Sequence, residues 1–216
     1  MSQGAQSRRK LLRLPEFDYS TPGGYFITIC VYHRVCLLEL SAIRNMILKW
    51  WGELPNKFPN VETAEFVVMP NHIHGILNLT DVRADLPSGP RRGRVGPDDL
   101  DPPGGHIGPP LPTQNSSVGL GGLYVAPLPT IIQWYKTMTT NEYIRGVKQR
   151  GWQPFSGKLW HRNYYEHIIR NDRELNSISQ YIRENPANWA LDHDNPSNLL
   201  KPSAEEDVDY LKEIGI

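Results

Sequence analysis

The stretch MPNHIHGIL, residues 69–77, decides how this chain is read. It places two histidines, His72 and His74, on either side of Ile73 in an apolar run. In a β-strand, residues two apart point to the same face. Both imidazoles therefore project side by side and Ile73 projects the other way. If the Ile73 face packs on helices, the histidines stand on the open face of the sheet. Two neutral imidazoles so placed are a good ligand pair for a divalent metal, and they leave positions for a third ligand and for substrate oxygens. The plainer alternative is two half-exposed polar residues on a solvated sheet face.

Outward from this stretch, the pattern alternates strands and helices. AEFVVMP (64–70) and HIHGILNLT (72–80) read as two strands joined by a tight turn at Pro70–Asn71. Upstream, YFITICVY (25–32) is an aromatic and β-branched strand behind the turn TPGG. SAIRNMILKWWGELPNKF (41–58) repeats Ile43, Ile47, Trp50 and Leu54 at helical spacing, with Ser41 as N-cap and Pro55 weakening the last turn. Downstream, LPTIIQWYKTMTTNEYIRGV (128–147) reads as a helix, and KLWHRNYYEHIIR (158–170) as a strand and its exit. NDRELNSISQYIRENP (171–186) is the clearest helix: Asn171 or Asp172 caps it, Leu175, Ile178 and Ile182 form its buried stripe, and Pro186 stops it. The order β-α-β-β-α-β-α predicts an α+β fold. Its first six elements (βαββαβ) form a ferredoxin-like or RRM-like antiparallel sheet, and a helix follows at the C-terminal side. That architecture hosts many functions and selects none.

The chain is expected to be a single domain over 1–216 with two appendages. Residues 82–126 are dense in Gly and Pro and nearly free of aromatics, which predicts a disordered or mobile insertion. Its RRGR (91–94) reads as solvated linker, with contact to a polyanion as the alternative. Residues 197–216 form an acidic tail.

Hydrophobic residues at 39% and charged residues at 21% are those of a soluble globular protein. Formal net charge is zero, so bulk charge does not point to nucleic acid, although a local basic patch would suffice for binding. Two cysteines, Cys30 and Cys36, make neither a disulfide framework nor a paired CxxC metal motif. The basic N-terminal stretch MSQGAQSRRKLLRLPEF has no apolar core, and no run approaches a membrane-spanning length, so a cytoplasmic protein without a membrane partner is expected.

A second constellation lies in SQYIRENP, where Tyr181 and Asn185 are four apart and share one side of a helix. A tyrosine hydroxyl is a weak nucleophile unless it loses its proton or its target is polarised. A metal held by His72, His74 and the Asn185 amide oxygen would polarise a phosphodiester for attack by Tyr181. On helix pattern alone, Tyr181 reads as well as a rim residue beside Ile178 and Ile182, and Asn185 as an end-of-helix residue before Pro186.

The blocks VVMPNHIHGIL, WYKTMTTNEYI, LWHRNYYEHIIRN and YIRENPANW, taken in order, resemble the REP-associated tyrosine transposases. These are HUH single-strand endonucleases with one catalytic tyrosine, related to small insertion-sequence transposases. The resemblance runs from about residue 14 to 195, the Gly/Pro insertion excepted. It implies metal-dependent cleavage and strand transfer of single-stranded or hairpin (REP-like) DNA through a 5′-phosphotyrosine, without ATP. It also implies Tyr181 as nucleophile, and a divalent ion (Mg²⁺ or Mn²⁺) on His72 and His74 with Asn185 in the third, more variable place. In the same blocks, His167 is a candidate for active-site support. Lys136, Arg162 and Arg170 are candidates for phosphate contact, and Tyr165 for DNA binding. One of Tyr164 and Tyr165 is expected on the open face and the other in the core, and Trp134 and Tyr135 are divided between base stacking and core packing. A monomer with its tyrosine in cis is expected over a homodimer. The other readings are a noncatalytic nucleic-acid-binding regulator on the same sheet and a metal-dependent hydrolase that uses water. Neither needs Tyr181.

Overall fold

A computed structural model describes residues 17–81 and 125–198. The segment RRGR and nearly all of the expected insertion and acidic tail lie outside them. At the insertion's C-terminal border, Ala126 is fully buried and exchanges two hydrogen bonds with the Asn60 side chain, so the folded unit resumes there.

Four strands make one antiparallel sheet: β1 (Gly23–Cys30), β2 (Val61–Val68), β3 (His72–Leu79) and β4 (Tyr165–Ile169), in the order β2-β3-β1-β4. Helices α1 (Ser41–Gly52), α2 (Leu54–Lys57), α3 (Leu128–Arg150) and α4 (Asp172–Asn188) complete the unit. The α+β split βαββαβ architecture stands as expected. Among the described residues no helix is long and apolar enough to cross a membrane.

β3 has neighbours on both edges and is buried along nearly its whole length. Its odd-numbered residues Ile73 and Leu77, with Ile27 and Ile29 of β1, join the large core formed with α1 and α3. Gly75 belongs to that face as well. A Cβ there would lie 2.6 Å from Trp51 Cζ2 and 2.8 Å from Phe66 Cδ2, so only glycine lets the Trp51 ring rest on the strand. The even-numbered residues His72, His74 and Ile76 face the other way, towards α4, where Phe26, Ile76, Ile178 and Ile182 form a small second core.

Several borders differ from expectation for local reasons. The 41–58 helix divides at Glu53, which leaves Pro55 in the first turn of α2, where its missing N–H is not needed. Ser41 is the first helical residue, and the N-cap is Leu40, which makes no side-chain cap. β2 begins at Val61 and holds a register shift between Thr63 and Phe66. Of 158–170 only Tyr165–Ile169 is strand. α3 runs on to Arg150 and ends at Gly151, whose φ of 68° is the left-handed cap that glycine adopts readily.

α4 begins as its sequence dictates. Asn171 Oδ1 accepts the Glu174 N–H at 2.9 Å, and the Glu174 carboxylate accepts the Arg170 N–H at 2.9 Å. Pro186 does not end the helix, which continues to Asn188 and runs into a 3₁₀ turn at Trp189–Leu191. A proline this close to the end forfeits one backbone hydrogen bond, and its φ remains helical.

Candidate active site

The two histidines do not stand on an open face. α4 crosses that face and both side chains are completely buried. The hairpin turn ahead of them is itself embedded. The Met69 N–H donates to the His72 carbonyl, while the Pro70 and Asn71 carbonyls accept from Leu38 and Val31. The Asn71 amide nitrogen donates to the carbonyls of Arg34 (3.0 Å) and Asp194 (2.7 Å). Its Oδ1 is therefore the acceptor that faces His72 Nδ1 at 2.8 Å, and Nδ1 carries the His72 ring proton. In the neutral ring Nε2 then carries the lone pair.

His74 is held in a similar way. Its Nδ1 lies 2.8 Å from Thr28 Oγ1 and its Nε2 lies 2.9 Å from His72 Nε2. A proton on His74 Nε2 satisfies that contact, with the Thr28 hydroxyl donating to Nδ1. The hydroxyl can equally accept from Nδ1, and His74 then also presents a lone pair at Nε2. Burial first, and the adjacent His72 ring second, hold the His74 pKa well below the usual histidine value, so His74 is neutral. Neutral imidazole is the ligating form.

Tyr181 reaches the same point from α4. Its hydroxyl lies 3.5 Å from His74 Nε2, and its ring packs edge-on against Phe26 and His74. Its place follows from helix spacing, because Ile178 and Ile182 dock α4 on Phe26 and Ile76 and so fix where the row one residue earlier points. Asn185, next in that row, is only 5% exposed, and among the described residues its Oδ1 has no hydrogen-bond partner. A buried amide oxygen without a donor is costly, which is what a ligand oxygen awaiting a cation looks like. Two imidazole nitrogens about 3 Å apart have the spacing of two ligands that share one ion at roughly 2.1 Å. These residues fit a divalent cation.

Sequence reasoning missed the segment that closes the site. After α4 the chain turns back, so that Asp192 Oδ2 lies 3.9 Å from His72 Nε2 and Asp194 Oδ2 lies 3.8 Å from His72 Nδ1. Asp194 also pairs with Arg34 Nη1 and, at 3.1 Å, with His193 Nε2. Burial pushes the Asp194 carboxyl up, but the His193 hydrogen bond and the Arg34 charge outweigh it and hold the group below the ordinary carboxylate range. Ligand-type atoms of Asp192, His193 and Asp194 all lie within 4.8 Å of one another, so this group can hold a metal ion. The signal was present in the run Asp192-His193-Asp194 directly after the helix. A cavity of about 550 Å³ is lined by Tyr181, Glu184, Asn185, Asn188 and Asp192 among others.

The remaining candidates divide. Tyr165 faces α4 and packs edge-on against Phe26, while Tyr164 enters the helix-side core. Arg162 and Arg170 are exposed. Lys136, expected at phosphate, is buried, and its Nζ donates to the carbonyls of His161, Arg162 and Asn163 while lying over the Tyr164 ring. It pins the approach to β4. Trp134 packs against Trp50 and Phe58, and Tyr135 is fully buried with its hydroxyl on the Ile47 carbonyl, so both belong to the helix-side core. His167 meets Glu174 Oε2 at 3.3 Å in the first turn of α4. That contact is about 10 Å along the helix from Tyr181. His167 ties β4 to the first turn of α4, away from the histidine pair.

No family model matches the chain. It is 30% identical over 195 residues to an uncharacterized protein of Haemophilus influenzae, covering 85% of this chain and 91% of that protein. A solved structure of a REP-associated tyrosine transposase bound to a REP hairpin is 18% identical, with a TM-score of 0.46, over 85% of this chain and 73% of that one.

Proposed function

We propose that this chain, which belongs to one family with the Haemophilus influenzae protein, is a tyrosine-dependent transposase of the REP-associated kind that cuts and rejoins single-stranded hairpin DNA. One observation carries the reading: the Tyr181 hydroxyl lies 3.5 Å from His74 Nε2, which itself faces His72 Nε2 at 2.9 Å. Neither a noncatalytic regulator nor a water-using hydrolase requires that convergence.

In this reaction the Tyr181 oxygen attacks the scissile phosphorus and loses its proton. The P–O3′ bond breaks, the departing oxygen takes up a proton as a free 3′-hydroxyl, and the 5′-phosphate is joined to Tyr181. Attack by another 3′-hydroxyl reverses these changes and joins strands, so no ATP is consumed. A divalent cation, Mg²⁺ or Mn²⁺, held by His72, His74 and Asn185 would supply Lewis-acid polarisation of the phosphate. Asn71 and Thr28 fix the two imidazoles by their Nδ1 atoms. Phe26 and the Ile178–Ile182 row hold the Tyr181 ring edge-on, which limits its approach to one direction. Exposed Arg162 and Arg170 would contact phosphate, and Tyr165, on the α4 side of the sheet, would contact DNA. The reading takes the protein as a monomer with its tyrosine acting in cis.

The test is covalent trapping of labelled single-stranded hairpin DNA in Mn²⁺, read on a denaturing gel. A shifted adduct that is absent from Tyr181→Phe and His72→Ala supports the assignment. Cleavage that persists in Tyr181→Phe means a hydrolase, and binding without cleavage across a hairpin panel means a regulator.

A further inference from the structure

We infer that the Asp192 carboxylate is an additional, anionic ligand of the cation site, reaching it from the segment after α4. This rests on the proposed strand-transfer site and deepens it. The set His72, His74 and Asn185 is neutral in charge. A hard divalent cation prefers oxygen and is bound more tightly as ligand charge is added. In a fully buried site an uncompensated double charge is costly. Asp192 answers both needs. Its side chain is 7% exposed, and its Oδ2 stands 3.9 Å from His72 Nε2, which is itself 2.9 Å from His74 Nε2. For bonds of roughly 2.1 Å, ligand pairs on one ion are separated by between about 3.0 and 4.2 Å. Both distances fall near or within that range.

Asn185 gives the independent sign that this is a ligand site: its buried Oδ1 lacks a partner among the described residues, and it lines the same cavity as Asp192. Asp194 is committed elsewhere, to Arg34 and His193. His193 lies between the two carboxylates, 3.7 Å from Asp192 Oδ1. The segment is held in place independently of any ion. Asp192 Oδ1 accepts the Asp194 N–H at 2.7 Å, and Asn71 Nδ2 donates to the Asp194 carbonyl at 2.7 Å. Asn71 thus links the hairpin turn before His72 to the loop that delivers Asp192.

The experiment is Mn²⁺ titration of the full chain without DNA, read by loss of the free Mn²⁺ paramagnetic resonance signal. The wild type should bind one ion and His72→Ala none. Asp192→Asn, which keeps the oxygen that accepts the Asp194 N–H, should weaken binding by about tenfold or more. His193→Ala should bind within about twofold of wild type, because the imidazole of His193 is outside the ligand set. A loss in His193→Ala as large as that in Asp192→Asn would place the ion on the Asp192, His193 and Asp194 group instead and overturn the inference. Unchanged or tighter binding in Asp192→Asn overturns the inference and leaves the histidine site standing. Failure of the wild type to bind Mn²⁺ overturns both. Melting of the metal-free variants shows whether each is folded. Should Asp192→Asn melt early, Asp192→Glu decides the matter: retention of Mn²⁺ binding that His72→Ala abolishes supports a charged ligand, and its loss in a folded protein overturns it.

Discussion

On one face of the sheet, Ile27, Ile29, Ile73 and Leu77 are sealed beneath α1 and α3 with Trp51, Tyr135 and Tyr143. On the other, Phe26 and Ile76 share a single helix, α4, with Thr28, His72 and His74. The same two central strands, β1 and β3, serve both faces by alternation. The face beneath α1 and α3 is large and mostly apolar. The α4 face is half apolar seat and half buried polar cluster, and its polar half is bonded through Asn71 and Thr28. One layer supplies stability, and the other converts some of that stability into fixed positions for reactive groups. Buried polar groups are affordable on the second because the first is so extensive.

The contrast breaks most sharply at Tyr181. Tyr181→Phe should lose the DNA adduct altogether while unfolding within about 0.5 kcal/mol of the wild type, since it removes only a hydroxyl from a half-buried ring. Thermal melting beside the trapping gel tests both halves. Next come Ile47→Ala on the α1 side and Ile182→Ala on the α4 side. Each should cost about 2–5 kcal/mol by denaturant melting. At a temperature where both remain folded, only Ile182→Ala should slow adduct formation, because only it loosens the helix that presents Tyr181. Equal slowing would mean that the faces are not separable. Thr28→Val removes the hydroxyl that satisfies His74 Nδ1, and should weaken Mn²⁺ binding about 10- to 100-fold, measured by titration. The smallest effect belongs to Asn171→Ala. Losing the cap on Glu174 should cost about 1 kcal/mol, with faster amide exchange confined to the first turn of α4.

The sequence was legible wherever one element decides the outcome. Strand alternation put His72 and His74 on one face and Ile73 on the other. Helix spacing joined Tyr181 to Asn185 and Ile178 to Ile182. It was illegible wherever two distant segments decide together. Nothing local says that α4 covers the histidines, so they read as exposed when both are buried. Lys136 carries a charge that looks suited to phosphate, yet three carbonyls of the chain before β4 claim it. Asn71 looked like a turn residue, and it is one, but its amide also joins Arg34, Asp194 and His72, which are far apart in sequence or in different elements. Asp192 was passed over because its partner lies 120 residues earlier (192 − 72).

The two rows on α4 have a consequence for how this protein can change length. A helix advances about 100° per residue. One residue gained or lost between Ile178 and Asn185 would therefore carry part of the row pointing at His74 to the flank of the sheet, although every side chain survived. Added residues in a surface connection alter closure entropy only slowly. Substitution scans of α4 would leave this constraint unseen, whereas a deletion scan would expose it as eight positions where no change in length is tolerated.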